Sequence, residues 1–137
     1  MFRNKKGFTL VELLAVIVIL AIILAIAVPG IAGIINGAKK ESFESNAKSL
    51  VTGIEYKVLE AQVDSTKTAP TAHAAASGAT HTAEVVNYGG KTSDYTYFEI
   101  TSMDPITIKL SSATDSQFGA FNVIATKSTV TFQTAGF

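Results

Sequence analysis

The feature that most constrains this 137-residue chain is a long apolar run close to its N-terminus. Residues 8–28 are interrupted only by Thr9 and Glu12, and residues 13–28 contain no polar side chain. Because an α-helix rises about 1.5 Å per residue, such a run can cross the roughly 30 Å hydrocarbon layer of a bilayer. A helix that is apolar on every side cannot face water, so it must lie in lipid or among other helices.

The distribution of charge divides the sequence in the same region. Between residues 8 and 38 Glu12 is the one charged side chain, whereas residues 39–137 carry 18. Three basic side chains precede the apolar run, namely Arg3, Lys5 and Lys6. Basic residues beside a membrane span stay in the cytoplasm, so the chain is predicted to insert with its N-terminus inside and its C-terminus outside.

The overall composition excludes several classes of function. Eleven basic and eleven acidic side chains cancel, so we predict no nucleic-acid partner. The chain has no cysteine, which excludes disulfides, thiolate metal sites and iron–sulfur clusters. His73 and His81 lie in a segment rich in Ala, Thr and Ser, and we expect both to be exposed loop residues. Without converging ligands or an oriented nucleophile and base, the sequence predicts no metal, no cofactor and no catalytic residue.

The apolar run also fits a removable secretory signal. It has a basic start, an apolar centre and an A-x-A-like cleavage site at residues 25–27. Two features favour a retained helix instead. Glu12 places a carboxylate inside the run, where an isolated charge is energetically costly. Such a residue is a candidate for a function unless its side chain reaches the headgroups. The helical pattern also continues beyond the possible cleavage site.

A short motif gives the N-terminal segment a more specific interpretation. Residues 5–12 read KKGFTLVE and are followed by the apolar run and by Pro29. Over residues 1 to about 60, the chain resembles type IV pilins and pseudopilins, whose class III signal has this spacing. The resemblance implies that a prepilin peptidase cuts after Gly7 and methylates the new N-terminal residue, Phe8. It also implies that Glu12 meets the Phe8 amine of a neighbouring subunit during assembly.

The same resemblance implies a function and a set of partners. The precursor would enter the membrane lipid and then join identical subunits and other pilins at an inner-membrane assembly platform. The product would be a surface filament for twitching motility, adhesion or biofilm formation. One alternative is a pseudopilin of a type II secretion or competence DNA-uptake system. A second alternative is a secreted β-rich binding domain with an ordinary signal peptide.

The helical pattern is interrupted at Pro29 and Gly30. Proline removes a main-chain hydrogen bond and clashes with the preceding turn, so we expect a helix break or kink near these residues. Gly33 and Gly37 follow with the spacing of a close helix–helix contact, although simple flexibility explains them equally well.

The remainder of the chain predicts an α+β fold. Residues 39–62 form an amphipathic helix whose apolar stripe comprises Phe43, Ala47, Leu50, Val51, Ile54, Val58 and Ala61. A loop with a short helical turn near residues 72–77 leads to an antiparallel meander of three or four strands. The predicted strands are residues 95–101, 106–110, 119–125 and 129–133, with residues 85–88 as a possible edge strand. The domain plan is a leader (1–7), an apolar helix (8–38), the amphipathic helix (39–62), and the loop and sheet (63–137).

Overall fold

The computed structural model describes residues 7–73 and 80–137. The chain divides into two units, Met1–Gly37 and Ala38–Phe137, which we call the N-terminal unit and the head. A single helix, α1 (Leu10–Val63), begins in the first unit and continues into the second. The other elements are two 3₁₀ helices and four strands: Thr82–Tyr88, Thr92–Asp94, β1 (Tyr95–Met103), β2 (Ile106–Ser112), β3 (Asn122–Ala125) and β4 (Val130–Gln133).

In the N-terminal unit, α1 is helical through both residues of the expected break. Pro29 and Gly30 lie inside the helix, and the helical assignment has no gap beside them. Pro29 still cannot donate the main-chain hydrogen bond of an ordinary helical residue. The secondary structure therefore continues in the isolated chain, and a kink or melting of this turn during assembly stays a prediction.

In the head, the strands form one antiparallel sheet in the order β1-β2-β3-β4. The pairing places Ile100 opposite Ile108 and Leu110 opposite Val123. Each strand pairs with the next one along the chain, so the predicted meander of four strands is confirmed. Short connections suffice for this topology because antiparallel neighbours need only a turn between them.

One face of the sheet packs against the head portion of α1. The buried helix positions are Phe43, Ala47, Leu50, Val51 and Ile54, at the three- and four-residue steps of a single helical face. They share a core with alternate residues of three strands, namely Phe98, Ile100, Ile108, Leu110, Val123 and Ala125. The predicted α+β class, with a long N-terminal helix on a small antiparallel sheet, is confirmed.

Aromatic rings strengthen the contact between α1 and the sheet near the start of β1. The Phe43 ring lies 5.3 Å from that of Phe118 and 5.9 Å from that of Phe121, between centroids. The Tyr95 hydroxyl donates a hydrogen bond to Asn46 Oδ1 on α1. Burial, together with the nearby Asp94 carboxylate, raises the pKa of Tyr95 to about 12.

The predicted edge strand at residues 85–88 is wrong. These residues belong to the 3₁₀ helix Thr82–Tyr88, in which residues three apart lie on the same side. Val85 and Tyr88 have that spacing, and both are buried against the core. The helix ends at Gly89, whose φ of 91° places it in the left-handed region. The helical turn predicted near residues 72–77 falls mostly on residues 74–79, outside the described residues.

Gly53 permits the close approach of this 3₁₀ helix to α1. A Cβ atom added at Gly53 would overlap the Tyr88 carbonyl oxygen, which belongs to the main chain and cannot move aside alone. By contrast, a Cβ added at Gly37, also in α1, meets no atom within 4 Å in this structure. Packing of the 3₁₀ helix therefore requires a glycine at position 53, whereas no such contact requires one at position 37.

We predict that Gly53→Ala destabilises the head, by about 1–3 kcal/mol, because the new methyl group forces the 3₁₀ helix away from α1. Urea unfolding of the full chain in detergent micelles, followed by near-ultraviolet circular dichroism, measures the change. Gly37→Ala is the matched control and should leave stability unchanged or raise it by up to about 1 kcal/mol, because alanine favours helix. Equal behaviour of the two variants would contradict this role for Gly53.

Candidate processing and assembly site

The peptide bond between Gly7 and Phe8 lies just before α1. Residues 7–9 have no regular secondary structure, and the helix begins at Leu10. The Phe8 side chain is 86% exposed. An irregular, exposed segment is accessible to a peptidase, whereas a bond inside a helix must first be unwound.

Thr9 and Glu12 form a reciprocal cap at the start of α1. Glu12 Oε2 accepts hydrogen bonds from the Thr9 main-chain N–H and from the Thr9 hydroxyl, each 2.8 Å long. In return, the Glu12 N–H donates to Thr9 Oγ1 over 3.3 Å. This is the capping-box arrangement, in which the first and fourth residues satisfy each other's free main-chain donors. The sequence signal for it, Thr-x-x-Glu before an apolar run, was present, but our sequence reasoning missed it.

The cap gives Glu12 a local structural role in addition to the predicted assembly role. Its carboxylate lies in the first turn of α1, where the helix dipole favours a negative charge. Both bonds from Thr9 use Oε2, so Oε1 takes no part in them. The remaining oxygen suits a cationic donor such as an α-amino group. The pairing with the Phe8 amine of a neighbouring subunit stays a prediction.

After the cap, α1 presents an apolar surface that the chain itself leaves uncovered. It is the one helix, within the described residues, that is long and apolar enough to cross a membrane, judged by length and composition. None of its most apolar stretch is buried within the chain. Its Leu, Ile and Val side chains up to Ile35 are about half exposed or more. Such a surface requires lipid or other apolar helices around it.

The basic residues of the predicted leader, Arg3, Lys5 and Lys6, lie outside the described residues. The predicted orientation of the chain in the membrane therefore rests on the sequence.

A second cluster of polar side chains occurs in the head and corrects a sequence expectation. His73 and His81 are not exposed loop residues, since their side chains are only 10% and 26% exposed. Their rings stack with centroids 3.6 Å apart, and both rings contact Glu84. His73 Nε2 lies 3.1 Å from Glu84 Oε2, and His81 Nδ1 lies 3.2 Å from Glu84 Oε1. No spacing rule in the sequence signals this contact.

These three side chains offer atoms of the types that bind metals, all within 4.8 Å of one another. The geometry does not suit an ion. A metal bound to one ring nitrogen normally leaves the other nitrogen protonated and donating, whereas His73 Nδ1 accepts a hydrogen bond from the Ile100 N–H. The two rings are also stacked within 16° of parallel, so one ion cannot lie in both ring planes.

Comparison with known proteins identifies the N-terminal segment. Residues 2–28 match the family model of the prokaryotic N-terminal methylation motif, which is the class III prepilin signal of type IV pilins and pseudopilins. The match covers 27 of the 137 residues and includes Gly7, Phe8 and Glu12. No curated protein and no solved structure matches the chain. The matched motif supports a pilin-like or pseudopilin precursor and implies processing by a prepilin peptidase.

We predict that Thr9→Ala loosens the start of α1, because it removes the hydroxyl of the cap at a cost of about 1 kcal/mol. Amide hydrogen exchange of Glu12 and Leu13, measured on the full chain in detergent micelles, should accelerate about fivefold. Thr9→Ser keeps the hydroxyl and should exchange like the unaltered chain. If Thr9→Ala also exchanges at the original rate, the cap does not hold the helix start.

Proposed function

We propose that this protein is the major structural subunit of a type IV pilus. The observation that carries the proposal is the position of the matched signal: its Gly7–Phe8 bond is exposed, and the helix after it is apolar and uncovered. The small head without a large insertion suits a subunit that is packed many times along a filament. Residues 1–7 would be the leader, and the mature subunit would begin at Phe8.

The apolar part of α1 would occupy two environments in succession. In the membrane, its leucine, isoleucine and valine side chains contact lipid tails. After extraction they can avoid water only by packing against the same segments of other copies, together with any other pilins in the filament. Burial of apolar surface then stabilises the polymer in the way it stabilises a protein core. The assembly platform in the cytoplasmic membrane would deliver subunits one at a time from the first environment to the second.

Glu12 would set the position of each incoming subunit. Removal of the leader creates an α-amino group on Phe8, and the carboxylate of an adjacent copy can neutralise it. A charge that is costly when buried alone but satisfied in one register favours that register. The Thr9 bonds hold Glu12 Oε2 and thus keep the carboxylate near the helix start, where a neighbour's N-terminus could reach Oε1.

The use of the filament is also part of the proposal. We propose an extracellular surface fibre that serves twitching motility, adhesion or biofilm formation. The matched signal is shared with pseudopilins, which build short filaments for secretion or DNA uptake, so the length and place of the fibre distinguish the two functions.

The first test is the intact mass of the mature protein, purified from cells that have the assembly system. We expect a chain that begins at Phe8 and carries one added methyl group. A chain that begins at Val28, or an uncut chain, would contradict the proposal. Immunogold electron microscopy of the same cells should show long surface fibres that contain this chain, and short fibres confined to the envelope would instead indicate a pseudopilin.

The second test separates the two roles of Glu12. Glu12→Gln keeps an oxygen that can accept the Thr9 bonds but removes the charge, so we expect a cleaved, methylated subunit and at least about tenfold fewer fibres. Quantification of sheared fibres by immunoblot, against the membrane pool, measures the loss. Glu12→Ala, which removes both roles, should be no better. Normal fibre yield from Glu12→Gln would limit Glu12 to the cap.

A further inference from the structure

Two residues between α1 and the sheet, His73 and His81, lie at the outer edge of β1. β1 is the first strand of the sheet, so the main-chain groups on its outer side are not paired with another strand of this sheet. The His73 N–H donates to the Ile100 carbonyl oxygen over 2.8 Å, and the His81 N–H donates to the Phe98 carbonyl oxygen over 3.2 Å. These main-chain hydrogen bonds therefore attach both histidines to the outer side of the strand.

The His73 side chain completes the contact with the strand. The Ile100 N–H donates to His73 Nδ1 over 3.0 Å, so the ring nitrogen acts as a main-chain carbonyl would in a strand pair. Nδ1 must then have a free lone pair. In a neutral imidazole the proton is consequently on Nε2, which lies 3.1 Å from Glu84 Oε2 and can donate to it. A neutral His73 ring therefore fits both contacts only as the tautomer with its proton on Nε2.

We propose that protonation of His73 releases this residue from Ile100 of β1, so that the contact between them is sensitive to acid. A second proton on the ring would go to Nδ1 and would face the Ile100 N–H, donor against donor. Ile100 is fully buried, and a buried N–H without an acceptor is strongly unfavourable. The attached state requires the neutral ring and the released state does not, so the released state binds more protons. Attachment is therefore expected to weaken as the pH falls.

His73 lies in a cleft that is also lined by residues of α1 and of the 3₁₀ helix Thr82–Tyr88. The charges around this cleft oppose a second positive charge on the histidines. On the α1 side, Glu60 Oε2 lies 2.7 Å from Lys57 Nζ, and Glu60 Oε1 lies 3.8 Å from Lys67 Nζ. From the 3₁₀ helix come Glu84, shared by both histidines, and the Tyr88 hydroxyl, which is neutral in acid. From β1 come the Phe98 ring and the Ile100 main chain, which are uncharged. With both histidines protonated, this region would contain four positive charges, on Lys57, Lys67, His73 and His81. It would contain two carboxylates, on Glu60 and Glu84.

His81 differs from His73 in a way that gives the experiment its control. The ring of His81 contacts Glu84 through Nδ1 and stacks on His73, and neither contact requires a neutral ring. A proton on His81 can be accommodated beside Glu84 while His73 stays attached. The proton on His73 is the one that conflicts with the Ile100 bond. Release of His73 would expose the outer main-chain groups of Ile100, which are then available to a strand of another chain.

The test is amide protection of Ile100 at pH 7.5 and pH 5.0, on the mature full chain in detergent micelles with EDTA present. Exchange rates are corrected for their intrinsic pH dependence and referred to Ile108, which lies in an interior strand. At pH 5.0 a solvent-exposed imidazole is charged in about 30 molecules for each neutral one, so the protection of Ile100 should fall by up to about 30-fold. Unchanged protection would overturn the proposal.

Two matched variants assign the effect to one ring. His73→Asn places a carboxamide oxygen where Nδ1 lies and cannot be protonated in this range, so protection should be the same at both pH values. His81→Asn should keep the pH dependence of the unaltered chain. The proposal is overturned if His73→Asn keeps that dependence, or if the nitrogen-15 shifts of the unaltered chain place the His73 proton on Nδ1 at pH 7.5. Tight Zn²⁺ binding that preserves Ile100 protection would overturn it as well.

Discussion

The packing of one face of α1 on the sheet is the interaction on which the head depends. Five buried residues of this helix, from Phe43 to Ile54, meet alternate residues of β1, β2 and β3 in a single apolar core. Without the helix, one side of a small antiparallel sheet would expose its apolar side chains to water, and such a sheet is not independently stable. The same helix begins in the N-terminal unit as a surface that is apolar all round. A change in residue pattern near residue 38 therefore allows one continuous element to serve two surroundings.

The elements that the sequence predicted well are those governed by local periodicity. The three- and four-residue steps of Phe43, Ala47 and Leu50 follow directly from which side chains must be buried. The same holds for the two-residue step between the core residues Phe98 and Ile100 in β1. The edge strand at residues 85–88 was predicted wrongly because two adjacent valines favour a strand when burial is unknown. In the structure, Val85 and Tyr88 gain more by facing the core together, as a 3₁₀ helix allows.

The histidine cluster could not be predicted from the sequence because it depends on where a loop meets a strand. Residues 73, 84 and 100 are 11 or more positions apart in the chain, and their contacts depend on the position of the 3₁₀ helix Thr82–Tyr88 and of His73 beside β1. Gly53 illustrates the same limit. A glycine is needed there because the Tyr88 carbonyl, which is distant in sequence, approaches this position closely. The Thr9–Glu12 cap is different, because its signal is local and was readable in advance.

The two edges of the sheet are protected by different means, and this has a consequence for the filament proposed above. β1, which has nine residues, is partly covered by His73 and His81. β4, at the other edge, has only four residues and so presents few groups for pairing. In the proposed filament, crowded heads and fibres that lie side by side would bring such edges into constant proximity. A short edge and a covered edge would keep neighbouring heads as separate folded units, so that contacts between them are set by side chains.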